Sequence, residues 1–317
     1  MDGPAGRQAP DDLPRSPSGR VPQWVIDEAA DRGQAPQVRP RARARRSPVP
    51  AVVGVLVLAL VAGGAWVVQS ERLPQLLAWA GAPQPTPTVA RNPDAPTPGT
   101  GAAAAPLGTP APVTGPSTSF AYMALQDDRA TPIAYDPCRP IHYVTRPDAA
   151  PEDGQQLITD ALARISLATG LQFVDDGTTT EAPSPMREPY QLDRYGDRWA
   201  PVLFSWSSPR EDATLAGFVA GAAGSAPVSL GDGPDVYVTG QVMLDAPQLA
   251  EAATHPGGDV LARATVLHEV GHLVGLGHVE DTTQLMFPEA QEGVTDLGAG
   301  DLTGLAELGR GACVPEL

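Results

Sequence analysis

Lysine is absent from all 317 residues, so every one of the 21 basic side chains is an arginine. We attribute that gap to coding composition rather than to chemistry. Cysteine is almost as scarce. Cys138 and Cys313 are the only two, which leaves material for one disulfide at most. Positive charge is in deficit as well: the formal net charge is -16. An acidic domain repels phosphate backbones, which argues against nucleic acid as a partner. Large apolar side chains are few in residues 1–118 outside one run. That stretch cannot bury enough surface to offset chain entropy, and most of it is expected to be disordered.

The single run, Ala51 to Val68, reads AVVGVLVLALVAGGAWVV and holds no charged or strongly polar residue. As a helix it would be about 27 Å long, enough to cross a bilayer core. Arg39, Arg41, Arg43, Arg45 and Arg46 lie just before it, and such clusters stay on the cytoplasmic side. A cleaved signal peptide is the alternative, but its charged region would be about fifty residues long, far beyond the usual few. The expected order is therefore a disordered, Arg-rich cytoplasmic segment (1–50), a signal-anchor whose partner is the lipid bilayer (51–69), a Pro/Thr/Ala/Gly-rich stalk (70–118) and a folded domain (119–317). This would be a single-pass protein of the cell membrane, with its N-terminus cytoplasmic and its domain extracellular. The prolines between Gly81 and Ser119 favour extended, non-helical chain, as suits a stalk.

Beyond the stalk, strand and helix patterns of globular length appear. Ile141–Thr145 reads as a strand. Pro151–Gly170 reads as a helix with Leu157, Ile158, Ala161, Leu162 and Ile165 on one face and Gly170 as its stop. Short strands are expected at Leu171–Val174, Val202–Trp206, Ala222–Leu230 and Val236–Leu244, the last two joined across Gly231-Asp232-Gly233-Pro234. A second helix should begin near Asp259 as N-cap, with Val260, Ala264, Leu267 and Val274 on one stripe. A last helix should run from about Asp301 through Leu302, Leu305 and Leu308 to Gly309 and Gly311. Together these suggest an α+β sandwich.

The two cysteines fall near the ends of this foldable segment. A disulfide between Cys138 and Cys313 is the favoured reading if the domain faces an oxidising compartment. Two buried thiols, or a thiol touching a metal, are the alternatives.

His268-Glu269-Val270-Gly271-His272 fits the pattern H-E-x-x-H inside the second expected helix. A spacing of four puts both imidazoles on one face, close enough to share a zinc ion, with Glu269 one step around. Six residues on stands His278. Gly275 can take the positive φ that ends a helix and turns the chain back, which would bring His278 to the same metal. Three imidazoles leave a fourth tetrahedral position for water, as a catalytic site needs. Three of the five histidines lie within these eleven residues; His142 and His255 are isolated and are read as non-ligands.

HEVGHLVGLGH resembles the extended zinc signature of the metzincin peptidases, and the spacing to Leu285-Met286-Phe287-Pro288 most resembles the matrixin branch. The resemblance is specific over His268 to Pro288, loose over 119–317, and absent from the N-terminal third. It implies a zincin-like catalytic domain: a twisted mixed sheet with an active-site helix and a C-terminal helix. It also implies that Met286 forms an apolar floor under the imidazoles and that Pro288 helps wall the specificity pocket; by itself, a Met near a helix end is more often plain core. The inhibitory cysteine motif of matrixin pro-segments is not matched by Asp136-Pro137-Cys138-Arg139-Pro140. The histidine-rich segment that holds a second zinc is missing too. Calcium has no motif here, although scattered carboxylates and carbonyls can bind it.

The expected activity is zinc-dependent hydrolysis of peptide bonds in a protein or peptide substrate. Zinc lowers the pKa of its water from about 15.7 towards 7, and Glu269 serves as general base. By resemblance, extended substrate pairs with an edge strand, for which Ala222–Val228 is the candidate. The alternative is an inactive zinc-containing binding module at the cell surface. It gives Glu269 no task.

Overall fold

A computed structural model of the chain describes residues 95–99, 101–229 and 233–317. The cytoplasmic segment, the signal-anchor at 51–69 and the first part of the stalk lie outside these, as do Gly231 and Asp232. Among the described residues no helix is long and apolar enough to cross a membrane.

The described residues form eight strands and four longer helices, in order: β1 (Ala121–Tyr122), β2 (Ala134–Tyr135), β3 (Ile141–Arg146), α1 (Gly154–Thr169), β4 (Phe173–Thr178), β5 (Val202–Ser207), β6 (Gly221–Val228), β7 (Val236–Asp245), α2 (Ala246–Ala253), α3 (Gly258–Val274), β8 (Leu276–Gly277) and α4 (Ala299–Leu308). A single turn of helix at Leu192–Tyr195 interrupts the connection from β4 to β5. The main sheet runs β4-β3-β5-β7 with all pairs parallel, and β2 lies parallel beside the start of β7. β6 is antiparallel along the other side of β7.

The sheet is mixed, as expected, but mostly parallel, because α1 serves as the crossover between β3 and β4. Parallel strands need such a connection and are covered on both faces. Accordingly all six residues of β5 are buried, whereas β4, at the edge, is exposed after Phe173. This layered α/β arrangement is compatible with a zincin-like domain.

Local chemistry explains most element ends. In α1 the five residues expected on one face are all buried, and Gly170 caps it with φ 78°. The start of α3 differs from expectation: Gly257, with φ 83°, is the N-cap, and Asp259 lies in the first turn paired with Arg263. Val260 is exposed rather than on the buried stripe. From Val266 onwards α3 is covered almost all round, which blurs the one-sided pattern of a surface helix. Helix α2 was not expected, although Asp245 caps it by accepting from the Gln248 amide and Pro247 sits in its first turn.

Residues 101–118, read as the end of the stalk, are hydrogen-bonded to the domain. The amides of Ala103, Leu107 and Ala111 donate to the carbonyls of Cys138, Pro137 and Leu167 at 2.8, 2.9 and 3.1 Å, and the Ser117 amide donates to Thr303 Oγ1 at 3.2 Å. Proline-rich chain has no internal hydrogen bonds, so its remaining amides are available for such partners. The boundary expected at 119 falls inside a stretch already packed on the domain.

Cys138 and Cys313 form a disulfide across 175 residues of sequence. The Asp136 carboxylate gathers both ends by accepting from the amides of Cys138 and Val314. Neither sulfur is left as a thiol for a metal. Closing so long a loop restricts the unfolded chain, and replacing both cysteines by serine should cost about 5 kcal/mol on the chain-entropy account. Urea unfolding of the two proteins measures this; coincident curves would show that the bridge adds nothing.

On the sheet face away from α3, the chain between β4 and β5 is held by a buried ion pair. The Arg187 guanidinium donates through Nε and Nη2 to the two Glu181 oxygens at 2.9 and 3.0 Å. It also donates to Thr239 Oγ1, Gly240 O and Pro201 O.

Candidate active site

His268 and His272 stand one turn apart on α3 and point to one side. Gly275 ends the helix with φ 118°, a left-handed conformation that a Cβ would strain. Leu276–Gly277 then pairs antiparallel with β1, and the chain delivers His278 back to the other two. His278 Nε2 lies 3.2 Å from His268 Nε2 and 3.0 Å from His272 Nε2.

The outer nitrogens define this arrangement. His268 Nδ1 donates to the Leu285 carbonyl at 2.7 Å and His272 Nδ1 donates to the Leu276 carbonyl at 2.8 Å. Those bonds assign the tautomers, leaving the Nε2 lone pairs directed inward. A proton on His278 Nε2 could serve only one of these neighbours, whereas a cation serves all three. Burial holds the His268 imidazole below its ordinary pKa, against a smaller opposite effect of the Leu285 carbonyl. Burial, then the imidazoles of His268 and His278, hold His272 well below the ordinary value, and burial, then His268, brings His278 down to about 4. All three are neutral at pH 7, the form that ligates metal. The group can therefore hold a metal ion.

Glu269 is 6% exposed, and its Oε2 has no hydrogen-bond partner among the described residues. Burial pushes its carboxyl up to about 8. A divalent cation at the triad opposes that shift by favouring the carboxylate. A buried, unpaired carboxyl is costly in an ordinary core and is a feature of sites that handle protons.

Met286 is 1% exposed. It packs under α3 where Gly271 lacks a side chain: a Cβ there would lie 2.7 Å from the Met286 sulfur. Pro288 follows two residues later and is half-buried. His142 is elsewhere, bonded to Asp176 at 2.9 Å, and His255 belongs to the turn before α3.

One residue that supports the site was read in the sequence only as a helix start. Asp301 is fully buried; its Oδ2 accepts from the Leu285 amide at 2.7 Å and the Gly298 amide at 2.9 Å. The Leu285 peptide thus bonds Asp301 on one side and His268 on the other. Gln284 Oε1 adds bonds from the amides of Gly300 and Asp301. The signal in sequence was an approximate helix start, which carries no information about a partner 16 positions away. Asp301→Ala should leave the buried Leu285 amide and the half-buried Gly298 amide without this acceptor and cost about 3 kcal/mol. Loosening the partner of a ligating imidazole should also weaken metal affinity by roughly 10–100-fold, which competition with a chromophoric chelator would measure.

No curated protein matches the chain. Residues 230–308 match the family model described as Matrixin. That span runs from β7 through α3, the three histidines and Met286 to the end of α4. The match and the histidine group support a metzincin-like domain of metallopeptidase type, and that family implies a zinc ion and a protein or peptide substrate.

Proposed function

We propose that this protein is a membrane-anchored zinc endopeptidase that hydrolyses peptide bonds with Glu269 as its general base. The observation that carries the reading is the meeting of three Nε2 atoms next to the buried Glu269, whose Oε2 has no hydrogen-bond partner among the described residues. His268, His272 and His278 would hold the ion as neutral ligands. When bound, zinc supplies Lewis acidity that polarises a carbonyl and makes water acidic near neutral pH. Glu269 accepts the proton of the attacking water as its oxygen bonds to the scissile carbonyl carbon. It then passes that proton to the amine nitrogen as the C–N bond breaks.

Substrate backbone has a suitable place beside this group. Strand β6 pairs with β7 along one side only, and among the described residues no strand covers its other side. An extended peptide can add to such an edge through main-chain hydrogen bonds. Met286 would act as the floor of the metal site without ligating, and Pro288 as part of the pocket wall. Residues 51–69 would anchor the chain, with the domain outside the cell.

Digestion of a broad peptide library by the full-length, zinc-loaded protein tests the activity. Cleavage that disappears with a chelator and returns with added zinc is expected. A stoichiometric zinc protein that cleaves nothing would instead be the inactive surface module.

A further inference from the structure

We propose that Gly221 is a positioning residue for Glu269: the backbone of β6 passes so close to this side chain that only a residue without a Cβ leaves the carboxylate its place. The inference rests on the reading of Glu269 as the proton acceptor and adds the element that orients it. A Cβ on Gly221 would lie 2.6 Å from Glu269 Cγ and 2.8 Å from both Cδ and Oε1. Such approaches are closer than real Cβ contacts come.

The glycine is explained by space rather than by backbone freedom. Gly221 is not among the glycines of positive φ, and in a strand its conformation is open to any residue. A glycine inside a strand loses packing and entropy, and often marks a close approach. Side chains alternate along a strand, so positions 221, 223 and 225 face α3 together. Ala223 packs against the core there, and the Ser225 hydroxyl donates to the Leu273 carbonyl at 2.6 Å. The gap between β6 and α3 thus admits a methyl at 223 and a hydroxymethyl at 225. It closes at 221, where Glu269 stands. Gly224 faces the opposite way, and a Cβ there would meet nothing within 4 Å.

A Cβ at position 221 would force Glu269 to shift, because the atoms it meets are those of the Glu269 side chain. Glu269 is buried, and its Oε2 is held by no hydrogen bond among the described residues, so packing against β6 sets the direction of the carboxylate. A methyl at 221 would displace it by about 1 Å, an error that can cost on the order of a hundredfold in rate when reacting groups must be aligned.

The test compares the full-length, zinc-loaded protein with Gly221→Ala, Glu269→Asp and the double variant, using a peptide found in the library digestion. Gly224→Ala serves as the reference for thermal stability. In Gly221→Ala we expect one zinc per chain, KM within about twofold and kcat roughly a hundredfold lower. A crystal structure of the zinc-loaded variant should show the carboxylate moved by about 1 Å. Aspartate is one methylene shorter, so Glu269→Asp should cost at least about tenfold less in the Gly221→Ala background than alone, because the two changes relieve one overlap. The proposal is overturned by a Gly221→Ala protein with wild-type kcat, by an unmoved carboxylate, or by costs that simply multiply. If Gly221→Ala does not fold, the double variant should regain the melting temperature of Glu269→Asp, and its failure to do so overturns the proposal. A wild-type protein that cleaves no peptide would sink the peptidase reading instead, while the carboxylate position in Gly221→Ala would still decide this one.

Discussion

Glu269→Gln should leave one zinc bound per chain and lower kcat by roughly a thousandfold, within the range that general acid–base groups contribute. The amide keeps the size of the side chain beside Gly221 and contributes nothing to the histidine ligand set, so folding and metal content should persist. It cannot accept a proton. Because the buried carboxyl has an unpartnered Oε2, the change also removes an ionisable group that the fold does not use for stability. A modest rise in melting temperature is therefore expected alongside the loss of turnover. Zinc analysis together with steady-state kinetics checks the prediction, and a Gln variant that cleaves at the wild-type rate would remove Glu269 from the mechanism.

Arg187→Ala should be the most destabilising single change outside the metal site. Side-chain exposure is 5% for Arg187 and 8% for Glu181, so removing the cation leaves a buried carboxylate uncompensated, at about 3–5 kcal/mol. The guanidinium also donates to Thr239 Oγ1 and to the carbonyls of Gly240 and Pro201, and these bonds are lost too. For a domain of this size the loss corresponds to a melting temperature lower by roughly 10 °C. Pairing Arg187→Met with Glu181→Leu should recover most of it, since apolar replacement of both partners is often neutral or better.

The same pair sets an acid limit. Burial raises the Glu181 carboxyl, but hydrogen bonds from Arg187, Tyr195 and Gln191 outweigh it, and the folded-state pKa is lowered. A carboxyl lowered on folding contributes stability above its unfolded pKa and loses that contribution as pH falls through the folded value. Wild-type stability should therefore decline on acidification below the ordinary carboxylate range, and the apolar pair should flatten that decline. Equal slopes would show that Glu181 is not its source.

The histidine group that could hold a metal ion was legible because its spacing is local. Two histidines four apart on a helix must share a face, and a glycine three residues after the second can turn the chain, so His268, His272 and His278 needed only the helical period and one positive φ to be grouped. α1 was legible for a similar reason, its buried face repeating with the turn. Helix α3 was harder to bound, because a central helix covered on most sides loses the contrast that marks a start. The parallel pairing of β3, β4, β5 and β7 was hidden because strand direction depends on which element covers which face, and single strands carry no sign of it.

The amino-acid order by itself determined the parts that rest on short-range geometry: the H-E-x-x-H face, the glycine reversal, the helical stripe of α1, and the placing of two cysteines at opposite ends of one foldable segment. Only the tertiary structure decided what depends on residues far apart in sequence. Gly221 meets Glu269 across 48 positions, Asp301 holds the Leu285 peptide that orients His268, and residues 101–118 fold back onto the domain. Periodicity reports the face a side chain occupies within its own element, whereas the identity of the atom opposite is settled when the whole core closes at the density of a solid.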